Sequence, residues 1–488
     1  MKPGSFKLDA IEQTQTPRLP SNNVAHIVTA SSTVWIGTSK GLARTANGGV
    51  SWEHFRAIPE FANDDIFAIA VRGDTVWAST GFSKEVDDQD IQTGSGYTFS
   101  IDNGSTWNHI DQTLDTQADS LIQYGINQLK ILPVVVPEQN VTFDVARSTG
   151  MVWIASWASG LRKSRDNGQT WQRIVLPPDN RNSVAPADTL NFFIDPRQNN
   201  NFLAFAVYAQ SDSVIWCGTA GGVNKSTDGG ISWSKFSHQN QEQSILGNWV
   251  IAIAEQQFDG KSRIWTTNWR AEDPNEQFGI SYSDDGGQTW VNLLHGIRAF
   301  DFAFKDSIVY VATENGLYRT DDGGISWTRS STIIDPSSRQ QITTVGFASV
   351  GVIGDTVYAG SEDGLVKTVD NGAALFGSSW QVLRTFQSVG SSTLTYAYPN
   401  PFSPDDEVVR FHYSTGGKDA LVTVEVFDFG MNLVRTVIRN ASRSGLREHD
   451  EIWDGRDDEG NRIANAVYLY RVSVSDDEPM WAKVLLIQ

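Results

Sequence analysis

Ser100-Ile101-Asp102-Asn103-Gly104-Ser105-Thr106-Trp107 is one copy of a short pattern: Ser or Thr, then Asp, then Gly, then Trp, at fixed spacing. Further copies run from Ser164 to Trp171, Ser226 to Trp233, Ser283 to Trp290 and Thr320 to Trp327. Thr45 to Trp52 is a variant with Asn47 in the Asp place. Thr368-Val369-Asp370-Asn371-Gly372 makes a seventh, with an insertion before Trp380. Even the closest pair of these tryptophans, Trp290 and Trp327, leaves room for four short strands and their turns.

A second element precedes each box. It reads Val34-Trp35-Ile36-Gly37-Thr38 in the first unit and Ile215-Trp216-Cys217-Gly218-Thr219 in the fourth. Val309-Tyr310-Val311-Ala312-Thr313 is its counterpart in the sixth. β-Branched and aromatic residues interleaved with small ones fit a buried strand. Another apolar segment lies upstream, such as Ile66 to Val71, and Gly41-Leu42-Ala43-Arg44 or its like leads into the box. Each unit therefore reads as four strands, with the box joining the third to the fourth. Seven such units predict an all-β fold built on a seven-bladed β-propeller. No segment shows a sustained helical period, which excludes a helical solenoid.

The box explains itself as a turn. Its Asp accepts hydrogen bonds from the turn backbone, its Gly supplies a positive φ, and its Trp packs between neighbouring sheets with an indole N–H that needs a partner. Asp102, Asp166, Asp228, Asp285, Asp322 and Asp370 are accordingly expected to be structural. These residues resemble the Asp-box (BNR-repeat) propellers, a group that includes sialidases, sortilin-type receptors, xyloglucanases and photosystem assembly factors. The resemblance covers about residues 20 to 388 and implies the fold rather than an activity.

The pattern changes after Arg384. Residues 1–20 read as an N-terminal extension, 21–388 as the propeller, 389–393 as a Gly/Ser linker and 394–488 as a small antiparallel β-sandwich. Trp453-Asp454-Gly455-Arg456-Asp457-Asp458-Glu459-Gly460-Asn461, followed by Val467-Tyr468-Leu469-Tyr470-Arg471, resembles the Ig-like domain of the flagellar hook-cap protein. With Tyr398-Pro399-Asn400-Pro401-Phe402 in front, it is also similar to C-terminal sorting domains of the bacterial type IX secretion system. That likeness implies export and surface attachment, with the secretion machinery as a partner. Its usual basic last residue is replaced by Gln488.

Composition narrows the function. The 488 residues carry 38 Lys and Arg against 57 Asp and Glu, a net charge of −19. That argues against non-specific nucleic-acid binding and against docking on anionic membranes. No apolar run is long enough for a membrane-spanning helix, so no membrane insertion is expected. The stretch from Met1 to Thr16 lacks the apolar core of a signal peptide, so secretion or outer-surface attachment assumes a leader outside this numbering. The one cysteine, Cys217, rules out an intrachain disulfide and reads as a buried thiol.

Catalytic signatures are sparse. The 7 His are not at metal-ligand spacing, and neither a nucleophile elbow nor a phosphate loop occurs. The sialidase relatives use three arginines with a Tyr and Glu pair. Their early Phe-Arg-Ile-Pro motif has only a loose echo in Phe55-Arg56-Ala57-Ile58-Pro59, after the first box rather than before it. No catalytic residue and no cofactor is therefore assigned. Calcium stays open at the boxes and at the Asp454, Asp457, Asp458 and Glu459 cluster.

In a four-stranded meander the boxes mark one end of the ring, and second-to-third turns and interblade links mark the other. The long insertions 82–96, 115–140, 177–197, 238–248 and 269–277 are expected at that second end. Trp157, Trp249 and Trp269 lie in or beside these loops, outside the repeat. They read as an aromatic platform for a glycan or a surface protein, with Glu85, Asp87, Asp88, Arg181, Arg270 and Asp273 as neighbours. Two alternatives remain: a glycoside hydrolase using carboxylates on this end, and an assembly factor of the photosystem type.

Overall fold

The computed structural model describes residues 16–55, 61, 64–86, 89–330, 332–338, 340–342, 344–385, 395–405, 407–445, 448–475 and 477–487. The linker at 389–393 and the candidates Asp87 and Asp88 lie outside the described residues.

Seven four-stranded antiparallel meanders follow one another between Val24 and Leu383, each in chain order. In blade 3 the strands are Thr142–Arg147, Val152–Ser156, Gly160–Ser164 and Gln172–Arg173. The second strands are buried almost throughout, which is why β-branched and aromatic residues fill them. First strands pack side by side around the ring, and Val24–Ala30 touches both Asp65–Arg72 and Ser349–Ile353, so the ring is closed. This is the all-β propeller that the repeat predicts.

The boxes work as turns. Ser100 Oγ donates to Asp102 at 2.7 Å and accepts the Gly104 N–H at 2.7 Å. Asp102 also accepts the Thr106 N–H at 2.8 Å and its hydroxyl at 2.6 Å. The same set recurs at Asp166, Asp228, Asp285 and Asp322. The box glycine meets a second need besides its positive φ. A Cβ on Gly230 (φ 80°) would come 2.5 Å from Trp153 of the preceding blade. Trp153 meets the box Trp233 edge-on at 6.5 Å. The expected indole partners are only partly present. Trp107, Trp290 and Trp327 donate to their own box glycine carbonyls, whereas the N–H groups of Trp153 and Trp233 are buried without an acceptor.

Asp370 departs from the expected box. The insertion before Trp380 reshapes the turn, and Asn371 caps the Ala373 and Ala374 N–H groups instead. Asp370 is buried and faces blade 6, where it accepts from Arg319 Nε at 2.5 Å and from the Tyr310 hydroxyl.

A third-strand cation links most blades to the next, a feature the repeat reading passed over. Lys163 Nζ donates to the Gly229 carbonyl at 2.8 Å and Lys225 Nζ to Gly286 at 2.9 Å. Arg44 does the same to Asn103, and Lys367 closes the ring onto Gly48 at 2.5 Å. The segment before blade 1 adds to the closure, with Leu19 N–H on the Arg384 carbonyl at 3.2 Å.

Two insertions do not stay at the end where they begin. Leu121–Tyr124 and Asn127–Ile131 form a hairpin on the outer edge of the ring, and the Tyr124 hydroxyl reaches the Ile231 carbonyl of a box. Ser183–Val184 adds as a fifth strand to Trp233–Phe236. The added strand pairs backbone that an outermost strand otherwise leaves unpaired, and the hairpin packs Ile122, Leu129 and Ile131 into the apolar cluster that holds Ile174 and Val175.

Beyond the propeller, Thr395–Tyr398, Val409–Tyr413 and His449–Trp453 form one sheet. Leu433–Arg443, Ala420–Phe427, Ala466–Val474 and Met480–Leu486 form the other. Phe411, Val424, Trp453 and Tyr470 fill the core between them. Asp457 and Asp458 cap backbone N–H groups of Asn461 and Thr436.

Candidate functional site

Where the first strands of blades 1, 2, 3, 4 and 6 begin, the register on the second strand slips by one residue. The slipped residue is Phe67 in blade 2, Phe143 in blade 3, Phe205 in blade 4 and Phe300 in blade 6. A bulge turns one extra side chain out of the pleat. Here it brings these phenylalanines together at the ring's opening, on the end opposite the boxes.

The three predicted tryptophans complete them. Phe67 meets Phe143 at 6.1 Å, and Phe143 meets Phe205 at 5.4 Å with Trp157 against both. Phe205 meets Trp249 at 5.2 Å, Trp249 meets Trp269 at 5.8 Å, and Trp269 meets Phe300 at 5.6 Å. The result is a continuous aromatic arc over blades 2 to 6. It is interrupted at blades 7 and 1, where Ala348 and Ala25 precede the first strands' inward turn. Most of its rings are half-buried, and Phe205 is buried.

Local bonds hold the arc. Trp249 and Trp269 exchange backbone hydrogen bonds at 3.1 and 2.7 Å. Trp269 Nε1 donates to the Ala299 carbonyl at 2.9 Å, while the Trp249 indole N–H is buried with no acceptor. Glu276, itself buried, ties the loops 238–248 and 269–277 together by accepting from Asn248, Gln239 and Ala271. The exposed Arg298 lies over Phe278 at 4.6 Å and Trp269 at 5.6 Å, which places a cation on the rim.

Deeper in, the first strands carry Asp144 and Asp301 at equivalent positions, one residue after their phenylalanines. Asp144 accepts the N–H groups of Val145 and, in the next blade, Val207, both at 2.8 Å. Asp301 accepts those of Phe302 at 2.8 Å and Val350 at 3.0 Å. Burial pushes both carboxyls up to about 7, and the charge of Asp301 adds to the rise at Asp144. His26, at the same place in blade 1, is held down to about 4 by burial. Because both oxygens of each carboxylate are taken by backbone amides, these acids stitch blades together rather than face a substrate.

The remaining candidates do not join the arc. Arg181 is exposed within the insertion that runs along the outer edge, and Glu85 is exposed on the long hairpin Thr75–Val86 and Gln89–Ser100. Arg270 is exposed beside Trp269. Asp273 accepts from Asn275 and Gln239. Sequence reasoning missed the four phenylalanines. Their signal was present in register: Phe67-Ala68, Phe143-Asp144, Phe205-Ala206 and Phe300-Asp301 recur at one position of the repeat.

No protein-family model matches this sequence, and no curated protein matches it. Among solved structures the chain is similar to YCF48 bound to a D1 peptide, at 14% identity and a TM-score of 0.44, over 75% of this chain and 98% of that one. It is also similar to YCF48 from Cyanidioschyzon merolae, at 16% identity and a TM-score of 0.44, over 73% and 98%. The extracellular domain of the hybrid two-component system BT3049 from B. thetaiotaomicron is similar at 13% identity and a TM-score of 0.31, over 96% and 73%. The class, that of β-propellers, rests on the chain's own seven four-stranded meanders. Among the described residues no helix is long and apolar enough to cross a membrane.

Proposed function

We propose that the protein is a non-catalytic binding propeller, secreted or attached at the outer surface, whose ligand is a glycan or a segment of a surface protein. The observation that carries this reading is the aromatic arc. Trp157, Trp249 and Trp269 come from loops far apart in sequence and meet on one end of the ring. Half-buried aromatic rings with a cation on the rim stack well on sugars and on apolar or peptide groups. The C-terminal sandwich serves export and attachment through a secretion machinery of type IX character, on the resemblance of its motifs.

Glycan arrays and surface-protein pull-downs with the full chain decide the ligand class. Binding that disappears in Trp157→Ala while the fold persists supports the arc as the site. Undiminished binding in both Trp157→Ala and Trp269→Ala rejects it. Fusing residues 394–488 behind a signal peptide to a reporter in a type IX host tests the export role, and retention of the reporter in the periplasm counts against it.

A further inference from the structure

The blade 6 end of the arc carries a cation that the scaffold does not use. Arg298, on the link into blade 6, lies over Phe278 at 4.6 Å and over Trp269 at 5.6 Å. The other arginines that stack on rings are each held by a carboxylate as well. Arg44, over Trp35 and Phe55, pairs with Glu53 at 2.7 Å. Arg263, over Tyr282, pairs with Asp284 at 2.6 Å, and Arg471, over Phe427 and Trp481, pairs with Glu425 at 2.5 Å. Among the described residues Arg298 is the stacked arginine whose guanidinium has no carboxylate partner. Glu314 accepts its backbone N–H at 3.2 Å instead. The side chain is exposed, so the rings orient the guanidinium while its donors stay open to a ligand. A guanidinium is a planar fork that matches a carboxylate.

The main chain around the arc is engaged within the protein. Trp249 and Trp269 bond each other, the Trp157 N–H donates to Val141 at 3.1 Å, and the Gln277 N–H donates to Leu246 at 2.9 Å. Asn268 donates to the Gly247 carbonyl at 2.9 Å, and the Trp269 indole takes that of Ala299. An extended polypeptide is bound through main-chain hydrogen bonds to an open edge, which these residues do not offer. They offer ring faces, at centroid spacings of 5.2–6.1 Å from Phe67 to Phe300, and one oriented cation. Sugar rings present C–H faces that stack on aromatic rings, and a uronic acid adds a carboxylate at the ring's edge.

The arc also has a direction. No cation lies over Phe67, Phe143, Trp157, Phe205 or Trp249 among the described residues. In a chain of net charge −19, a ligand charged at every ring would be repelled along most of its length. The sandwich closes the remaining side of the ring. Asp363 of blade 7 is shared between Arg384 of its own blade, at 2.8 Å, and Arg410 of the sandwich, and Lys40 of blade 1 pairs with Glu407 at 3.8 Å. With blades 7 and 1 so occupied, a ligand follows the rings from blade 6 towards blade 2.

We propose that the arc binds a glycan whose uronic acids are separated by neutral sugars, with one carboxylate on Arg298 and the following rings stacked towards Trp249 and Trp157. The inference rests on reading the arc as the ligand site, and it names the class of ligand.

The test titrates the full chain with a hyaluronan tetrasaccharide, in which glucuronate alternates with N-acetylglucosamine. Its methyl ester, which keeps the rings and loses the charge, is the first control, and an acetylated peptide alternating Glu and Gly is the second. The acid form should bind saturably and at least tenfold more tightly than the ester. That advantage should shrink as salt is raised. Arg298→Gln should lower affinity for the acid form at least tenfold, at unchanged melting temperature, and so erase the difference between the two forms. Trp157→Ala should weaken both. No binding of the tetrasaccharide, a preference for the acid that persists in Arg298→Gln, or tighter binding of the peptide overturns the proposal. Equal affinity for acid and ester, with both lost in Trp157→Ala, also overturns it and leaves the proposed function standing. Acid-selective binding that is undiminished in both Trp157→Ala and Trp269→Ala rejects the arc itself, and the proposal with it.

Discussion

The two ends of the ring are built from the same strands and differ in symmetry. At the box end, five turns repeat one set of hydrogen bonds, with each Asp held by its own Ser or Thr and by the turn backbone. At the other end the blades differ. Blades 2, 3, 4 and 6 offer phenylalanine where blades 1 and 7 offer alanine, and the tryptophans arrive from separate loops. Scaffold work is the same in every blade, so it repeats. A ligand of lower symmetry needs a surface that does not.

That contrast can be broken most easily at the scaffold. Trp233, 2% exposed against Trp153, should cost about 3–5 kcal/mol when replaced by Ala, read from the denaturation midpoint. A loss below about 1 kcal/mol, as at surface positions, is incompatible with interblade packing. Lys163→Met should cost about 1.5–3 kcal/mol, because it removes a charged donor from the Gly229 carbonyl. Neither change should alter ligand affinity measured on the folded fraction.

The arc should behave the other way. Trp157→Ala removes contacts with Phe143 and Phe205 and should cost about 1.5 kcal/mol of stability. Its effect on binding should be larger, about 2 kcal/mol or more, as for central interface tryptophans. A melting-temperature collapse with no change in affinity makes the ring a core plug and erases the distinction between the ends.

Acid sharpens the comparison from the box side. Hydrogen bonds from the turn hold the carboxyls of Asp102 and Asp166 down to about 2, the Thr106 and Thr170 hydroxyls contributing most. These folded values lie below the ordinary carboxylate value of about 3.9, so the ionised form is the one the turn favours. Their stabilising contribution is complete above about pH 4 and is lost as pH falls through about 2. Asp102→Asn should flatten that acid limb in a melting-temperature series. Asp144 and Asp301 run opposite: with folded values raised to about 7, their protonated forms favour the fold, and stability declines as pH rises from about 4 to about 7. The smallest effects belong to residues outside both ends' networks. Arg181→Ala and Glu85→Ala should leave both affinity and stability within about 0.5 kcal/mol of the parent.

The fold was legible because its signals are local. A box turn is closed by residues within eight positions of one another, and a buried strand declares itself in five. Asp370 shows the limit, since an insertion downstream turned it from its own turn towards Arg319 and Tyr310 of the preceding blade. Loop composition and phase also located Trp157, Trp249 and Trp269 on the right end. They could not show that the 115–140 and 177–197 insertions leave that end for the outer edge of the ring, because their place depends on which surface lies within reach.

Sequence alone therefore determined the repeat, the blade and the end of the ring that differs, through spacing, turn chemistry and alternation. Tertiary structure decided what meets there. Phe67, Phe143, Phe205 and Phe300 lie in four separate blades, and only closure of the ring and the register slip of their first strands bring them against the tryptophans. The buried Asp363 between Arg384 and Arg410 was equally invisible, because a shared charge across two domains is set by docking, which no local pattern encodes.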